Sequence, residues 1–140
     1  MIEQGIFQFI LDNEALDALM TEGSLFQNVI PENSPNPSLM FRTITGTHDQ
    51  TMQGPSGFVE RRYQFTAQAA DTDNSPGSGY VLAKTLMDTL RQQFNGLTGI
   101  LPDGTRVFGT FLDLELDSFD DDAQKHQVVN DYKIQFQQNP

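Results

Sequence analysis

The chain has 140 residues, no cysteine, and 19 acidic against 8 basic residues, for a formal net charge of -11. This length is typical of one domain with its own core, so we predict a single domain over residues 1–140. The lack of cysteine excludes disulfides, thiolate metal sites and a cysteine nucleophile, and it fits a reducing compartment. The acidic excess argues against nucleic-acid binding through counterion release. With no signal-like N-terminus and no apolar run of the ~20 residues that span a bilayer, we expect a soluble protein of cytoplasmic origin.

Two helical segments are predicted at the N-terminus. Apolar residues recur at spacings of three and four from Ile2 to Leu11, which is typical of an amphipathic helix. Asn13 is a candidate N-cap for a short second turn through Leu16–Met20, which Gly23 closes. Two short helices and one kinked helix both fit this pattern.

Three strands are predicted next. Leu25–Ile30 is a short strand that a proline-rich segment ends, and Ser38–Gly46 is a second. The polar stretch Thr47–Gly57 is predicted as a long hairpin loop with a mobile tip. From Val59 to Ala69 the odd positions are apolar except for Arg61, and this strict alternation predicts a strand with one buried face.

The main helix follows a turn-rich connection, Ala70–Gly79, and ends before Gly96. Within this connection Asp71, Asp73 and Asn74 loosely resemble the start of a calcium loop, but helix capping is the better supported alternative. Gly77-Ser78-Gly79 could in principle cradle an anion on free backbone N–H groups, although no P-loop motif is present. Residues with apolar spacing form the predicted inner side of the helix: Val81, Leu82, Leu86, Leu90 and Phe94.

A tight turn at Pro102–Thr105 and two further strands complete the pattern. The acidic loop Asp120–Asp122 separates the first of these strands from the second, which is the last strand of the chain. The residues of this last strand that are predicted to point inward lie between Val128 and Phe136. Alternation assigns one face of the preceding strand to Phe108, Thr110, Leu112, Leu114 and Leu116. It assigns the other face to Val107, Gly109, Phe111, Asp113, Glu115 and Asp117.

The order is therefore α-β-β-β-α-β-β. Clean alternation indicates a sheet with one solvated face, whereas parallel sheets covered on both sides give continuous apolar runs. We predict an α+β fold in which helices pack on one face of an antiparallel sheet.

The sequence offers no catalytic constellation. His48 and His126 lie far apart in polar contexts, and no Ser-His-Asp or HExxH spacing is present. Asp113, Glu115 and Asp117 would form a line about 13 Å long on a strand, which is a poor cage for Ca²⁺ or Mg²⁺. The loop Asp120–Asp122 leaves a weak cation site as an alternative to a solvated acidic surface. We expect no enzyme activity, no cofactor and no metal.

Two features suggest subunit contacts. Arg61 and Arg62 are adjacent on a strand, so one of them should point inward and needs a carboxylate or an interface. Val107 and Phe111 are apolar residues on the predicted wet face of their strand.

Taken in order, several segments resemble the phage tail-completion family of small tail terminator and head-to-tail joining proteins. None is catalytic, and their order carries the resemblance along nearly the whole chain. The segments are Met1-Ile2, Ile30-Pro31, Ser38–Phe41, Gly54-Pro55-Ser56-Gly57, Ala83–Phe94 and Asp131–Phe136. The chain departs from the family pattern in its longer acidic segment, Asp113–Asp122, and in its extended Ala70–Gly79 connection.

The resemblance implies a ring, expected to be a homohexamer, that caps the tail tube, stops its polymerisation and joins the tail to the head connector or head completion protein. DNA would pass through this ring without specific binding, in a virion assembled in the host bacterial cytoplasm, with no membrane contact. Partner contacts are expected at Met52, Gly54, Pro55, Gly57, Arg61 and Phe111. Asp113, Glu115 and Asp117 would line the channel and repel phosphate. The alternatives are another neck or minor tail component and a small ligand-binding α+β domain.

Overall fold

A computed structural model describes residues 1–20, 23–31, 35–51, 54–72 and 75–138, without the side chains of 49–51 and 54–56. The helices are α1 (Ile2–Asp12), α2 (Glu14–Asp17) and α3 (Ser78–Phe94). The strands are β1 (Leu25–Gln27), β2 (Ser38–Thr51), β3 (Gly54–Ala70), β4 (Gly99–Ile100), β5 (Arg106–Asp120) and β6 (Lys125–Gln137).

The strands form one sheet in the order β1-β2-β3-β6-β5-β4, with the helices packed on one face. The predicted α+β fold is confirmed. The sheet is mixed, however, because β1 runs parallel to β2 while the other pairs are antiparallel. The prediction of a purely antiparallel sheet was wrong at this edge. Two parallel strands need a long connection, because the chain must return to the end at which the first strand began. Residues 28–37 are long enough to make this return between β1 and β2, whereas a two-residue hairpin is not.

The core lies between the helices and the covered face of the sheet, called here the inner face. Val59, Tyr63 and Phe65 are fully buried on β3, as their alternation predicted. Phe65, Phe94 of α3 and Tyr132 of β6 form an aromatic trio with ring centroids 5.2 to 5.4 Å apart. Such pairs contribute roughly 0.5–1.5 kcal/mol each beyond their buried area.

The N-terminal segment forms two helices, and Asn13 caps the second as predicted. Its Oδ1 accepts a hydrogen bond of 3.2 Å from the backbone N–H of Leu16. In α3 the inward assignment of Val81 was wrong, since this side chain is 62% exposed while Ala83 and Met87 are buried. At about 100° per residue, Val81 lies far round the helix from the stripe of Ala83, Met87 and Leu90. No described helix combines the length and apolar character of a membrane span.

The hairpin between β2 and β3 corrects the loop prediction for Thr47–Gly57. The strand ladder continues to the pair Thr51 and Gly54, with a register shift between His48 and Gln50. Main-chain hydrogen bonds form a ladder whatever the polarity of the side chains, so a polar sequence does not require a loop. Since β3 pairs with β6 only as far as Phe58, residues 49–51 and 54–57 form a two-stranded extension, called here the arm.

The face assignments on β5 also change. Register shifts occur between Val107 and Gly109 and between Leu112 and Leu114. Each bulge adds one residue and reverses the alternation that follows it. Val107, Thr110 and Leu112 therefore lie on the inner face, opposite inner-face residues of β6, whereas Leu114 and Leu116 lie on the uncovered face.

Candidate assembly interface

The uncovered face of the sheet, called here the open face, carries an ion network at its centre. The guanidinium of Arg62 contacts Asp131 Oδ2 at 3.1 Å and also binds Asp113. Lys133 Nζ lies 3.9 Å from the other oxygen of Asp113. The hydrogen bond from Arg62 holds the pKa of Asp113 below its ordinary value. This network ties β3, β5 and β6 together without help from the helices.

Arg61 points to the inner face and finds its partner within the chain. Its Nη1 donates to Glu3 Oε1 at 2.9 Å and to the Tyr63 hydroxyl at 3.3 Å. The guanidinium also lies 5.2 Å from the ring centroid of Phe136. Of the two alternatives for an inward arginine, the structure provides the carboxylate, and this carboxylate comes from α1.

An exposed apolar ridge runs along β5 on the open face. Phe111, Leu114 and Leu116 are 50%, 51% and 56% exposed, and they pair with Lys133, Asp131 and Val129 of β6. We call these three residues the β5 ridge. Alternation along the sequence identified Phe111 but assigned the two leucines to the buried face, because nothing in the sequence marks the bulges.

The three carboxylates predicted to line a channel do not share a face. Asp113 belongs to the open-face network, whereas Asp117 accepts a hydrogen bond of 2.8 Å from the Tyr80 hydroxyl and lies 3.4 Å from Lys84 Nζ on α3. Glu115 pairs with Asn130, an inner-face position of β6. The assumption of a common face was wrong, since the bulge after Leu112 separates Asp113 from the other two.

The arm holds three of the six predicted partner contacts, Gly54, Pro55 and Gly57. Met52 lies outside the described residues, and Gly54 and Pro55 pair with Thr51 and Gln50 in the ladder. Gly57 has φ 85°, a conformation that favours glycine, and its carbonyl accepts a hydrogen bond of 2.6 Å from the N–H of Gln138. The end of β6 thus fastens the base of the arm.

At the start of α3, backbone N–H groups that have no partner within the helix donate hydrogen bonds to a side chain of the same chain. Gly79 N–H donates to Asp71 Oδ1 at 2.8 Å, and His126 Nε2 lies 3.1 Å from the same oxygen. Backbone hydrogen bonds from Gly79 and Gly77 hold the pKa of Asp71 below its ordinary value. The carboxylate therefore caps the helix, in agreement with the capping alternative, and occupies the position that an external anion would need.

The acidic loop after β5 forms a local turn. Asp120 Oδ1 accepts hydrogen bonds from the N–H groups of Asp122 and Ala123, at 3.1 and 3.2 Å. In the part of the chain that the structure describes, no group of three or more His, Asp or Glu side chains is arranged to hold a metal ion.

A surface hollow of about 720 Å³ lies at the opposite edge of the sheet from β5. Apolar side chains of α1 and β1 line it, together with Asp17 of α2 and Met20. We call it the α1–β1 hollow; its described lining is Phe7, Leu11, Asp17, Met20, Gly23, Ser24 and Leu25.

Comparison with known proteins gives similarity of structure alone. No protein-family model and no curated sequence matches the chain. A solved chain from the virion of a native gene transfer agent particle superposes with a TM-score of 0.74 at 12% identity, over 94% of this chain and 91% of that one. A second solved structure, which carries no functional description, aligns with a TM-score of 0.56 at 14% identity, over 98% and 97% of the two chains. At these identities the likeness establishes a shared fold.

Proposed function

We propose that this chain is a structural virion protein of a tailed phage, and that it acts as a ring-forming tail terminator. Its ring, a homohexamer, would cap the tail tube, stop tube polymerisation and join the tail to the head connector. The observation that carries the proposal is the end-to-end structural likeness to a chain of a gene transfer agent virion. The order of segments along the sequence, which resembles the tail-completion family, supports the same conclusion.

The surfaces of the molecule are better suited to binding protein partners than to catalysing a reaction. An open sheet face with an exposed apolar ridge and a protruding two-stranded arm are features that bind protein partners. The best-defined groups of charged side chains are engaged in structural contacts, as Arg61 is with Glu3 and Asp71 is with α3. We assign the arm to contacts with the tail tube or connector, and the open face to contacts within the ring.

The distribution of carboxylates limits which residues can line the proposed DNA channel. Asp113 is neutralised by Arg62 and Lys133 on the open face, so it is a poor source of repulsion for phosphate. Glu115 and Asp117 lie on the opposite face, and because Asp117 is paired with Lys84, Glu115 remains the proposed lining residue. In this arrangement DNA passes without specific binding, because like charges keep it from the wall.

The decisive experiment combines imaging with a tube assay. The purified protein is examined by negative-stain microscopy and by native mass, and is then added to the tail tube protein of the same virus as the tube polymerises. We expect six-membered rings and tubes that stop growing. Rings that bind the connector while tubes continue to grow would instead indicate a neck component. A stable monomer without effect on either partner would overturn the proposal.

A further inference from the structure

The charges of this chain are separated between two regions. Residues 1–41 contain no lysine or arginine, and they hold six acidic residues: Glu3, Asp12, Glu14, Asp17, Glu22 and Glu32. The open face, by contrast, holds five of the eight basic residues, which strand pairing places there: Arg42, Arg62, Arg106, Lys125 and Lys133. Four carboxylates share that face: Glu60, Asp113, Asp120 and Asp131. Within a protein of net charge -11, the open face thus carries one more basic than acidic residue, whereas residues 1–41 carry acidic residues without a basic one.

The apolar features follow the same division. The β5 ridge lies at the edge where β5, beyond Val107, has no outer strand among the described residues. The α1–β1 hollow lies at the other edge, beside β1, within the acidic region. One edge therefore presents a projecting apolar stripe beside a balanced network of two cations and two carboxylates, and the other an apolar recess whose lining includes Asp17.

This pairing favours one kind of self-association. A ring requires a heterologous contact, in which two different surfaces of the same chain meet. The ridge projects and the hollow is recessed, and they sit on opposite edges of one sheet. The open face carries a small excess of basic residues, whereas the region of the hollow has acidic residues alone. Contact of one hollow with another would bring the acidic regions of two copies together, which electrostatic repulsion opposes.

We infer that copies of this chain bind head to tail, with the β5 ridge of one copy entering the α1–β1 hollow of the next. Leu116 and Leu114 insert between Phe7 and Leu11 of the neighbour, while Lys125 and Lys133 approach the acidic rim that includes Asp17. The inference rests on the proposed ring and identifies the surfaces that close it.

The test uses two variants, each with one damaged surface. Leu116→Asp places a carboxylate in the ridge, and Leu11→Asp places one in the hollow, where Leu11 is 43% exposed. Burying an unpaired carboxylate should weaken self-association by about 100-fold or more, leaving each variant monomeric in sedimentation velocity. Val81→Asp, at a 62% exposed aliphatic position on α3, is the matched control and should assemble like the unmodified chain.

Mixing the variants distinguishes a head-to-tail contact from a symmetric one. The intact hollow of Leu116→Asp can receive the intact ridge of Leu11→Asp, so an equimolar mixture should form dimers and stop there. A mixture that remains monomeric, or a Leu11→Asp variant that assembles normally, would overturn the inference. Rings formed by each variant alone would also overturn the inference, but they would leave the proposed function intact. An unmodified chain that remains monomeric at high concentration would contradict both the inference and the proposed function. Circular dichroism of each variant confirms that it is folded.

Discussion

At the scale of single residues, two buried tyrosines differ in how their hydroxyl groups are satisfied. The Tyr63 hydroxyl donates to Glu3 Oε1 at 3.0 Å and accepts from Arg61 Nη1 at 3.3 Å. The Tyr132 hydroxyl is equally buried but makes no hydrogen bond among the described residues. The rings occupy neighbouring strands of the same core, so they form a natural matched pair.

We predict that Tyr63→Phe lowers the free energy of unfolding by about 1–2 kcal/mol, because it leaves Glu3 and Arg61 partly unsatisfied. Tyr132→Phe should leave it unchanged or raise it slightly, since no hydrogen bond is lost and a buried unpaired hydroxyl is removed. Urea unfolding of both variants measures the difference. Equal losses would show that the Glu3–Arg61–Tyr63 cluster does not stabilise the fold.

The same burial predicts sensitivity to alkali. Burial raises the pKa of Tyr132 to about 12, above its ordinary value near 10. A group whose pKa is raised on folding contributes stability that is present below the unfolded pKa and is lost as pH rises through the folded value. Stability should therefore fall between about pH 10 and pH 12. Unfolding followed by phenolate absorbance should show a smaller fall for Tyr132→Phe, and an unchanged fall would contradict this assignment.

At the scale of secondary-structure elements, α3 lies very close to β3 at its first turn. A Cβ placed on Gly79 would lie 2.7 Å from the carbonyl carbon of Ala70 and 2.8 Å from the carbonyl oxygen of Ala69. These are backbone atoms, which cannot move aside as the end of a side chain can. The glycine thus sets the distance between the helix and the sheet.

We predict that Gly79→Ala destabilises the protein by roughly 1–3 kcal/mol, as overpacking does. At an open helical position the same change would stabilise by up to about 1 kcal/mol, so the sign itself is diagnostic. Thr85→Ala, at an exposed position of α3, serves as the control and should be neutral or slightly stabilising. Thermal unfolding of the two variants is sufficient, and a stabilised Gly79→Ala would contradict the close approach.

The arm should be dispensable for folding and required for function. Replacing residues 50–55 by Asn-Gly, which favours a tight hairpin turn, shortens it and leaves every core residue that the structure identifies unchanged. We expect a melting temperature within a few degrees of the unmodified protein and tails of uncontrolled length in a complementation assay. Tails of normal length would remove the arm from the proposed contacts with the tube or connector.

At the scale of the whole molecule, charge separation makes salt a probe of assembly. If basic and acidic regions of neighbouring copies meet, self-association should weaken several-fold between about 0.05 and 0.5 M NaCl, because salt screens exposed charges. Sedimentation at several salt concentrations measures this dependence. Association that strengthens steadily with salt would show that the apolar contact alone drives assembly and that the charges oppose it.

Much of the fold was accessible from local patterns. The alternation of β3, the cap at Asn13 and the tight turn at Pro102–Thr105 each depend on a few neighbouring residues, and the structure confirms them. The faces of β5 were not accessible, because a bulge leaves no clear mark in the sequence yet reverses everything after it. The ridge leucines were therefore missed, and Asp113, Glu115 and Asp117 were grouped wrongly.

The sequence by itself determined the α+β class, the central strand with its buried face, and the lack of a recognisable catalytic motif, since each follows from residue type and short-range spacing. Only the tertiary structure decided that β1 runs parallel to β2, that Arg61 binds Glu3 across the core, and that an apolar ridge and an apolar hollow occupy opposite edges of one sheet. These features join residues distant along the chain. Strand register and helix packing fix them, and no local pattern encodes either.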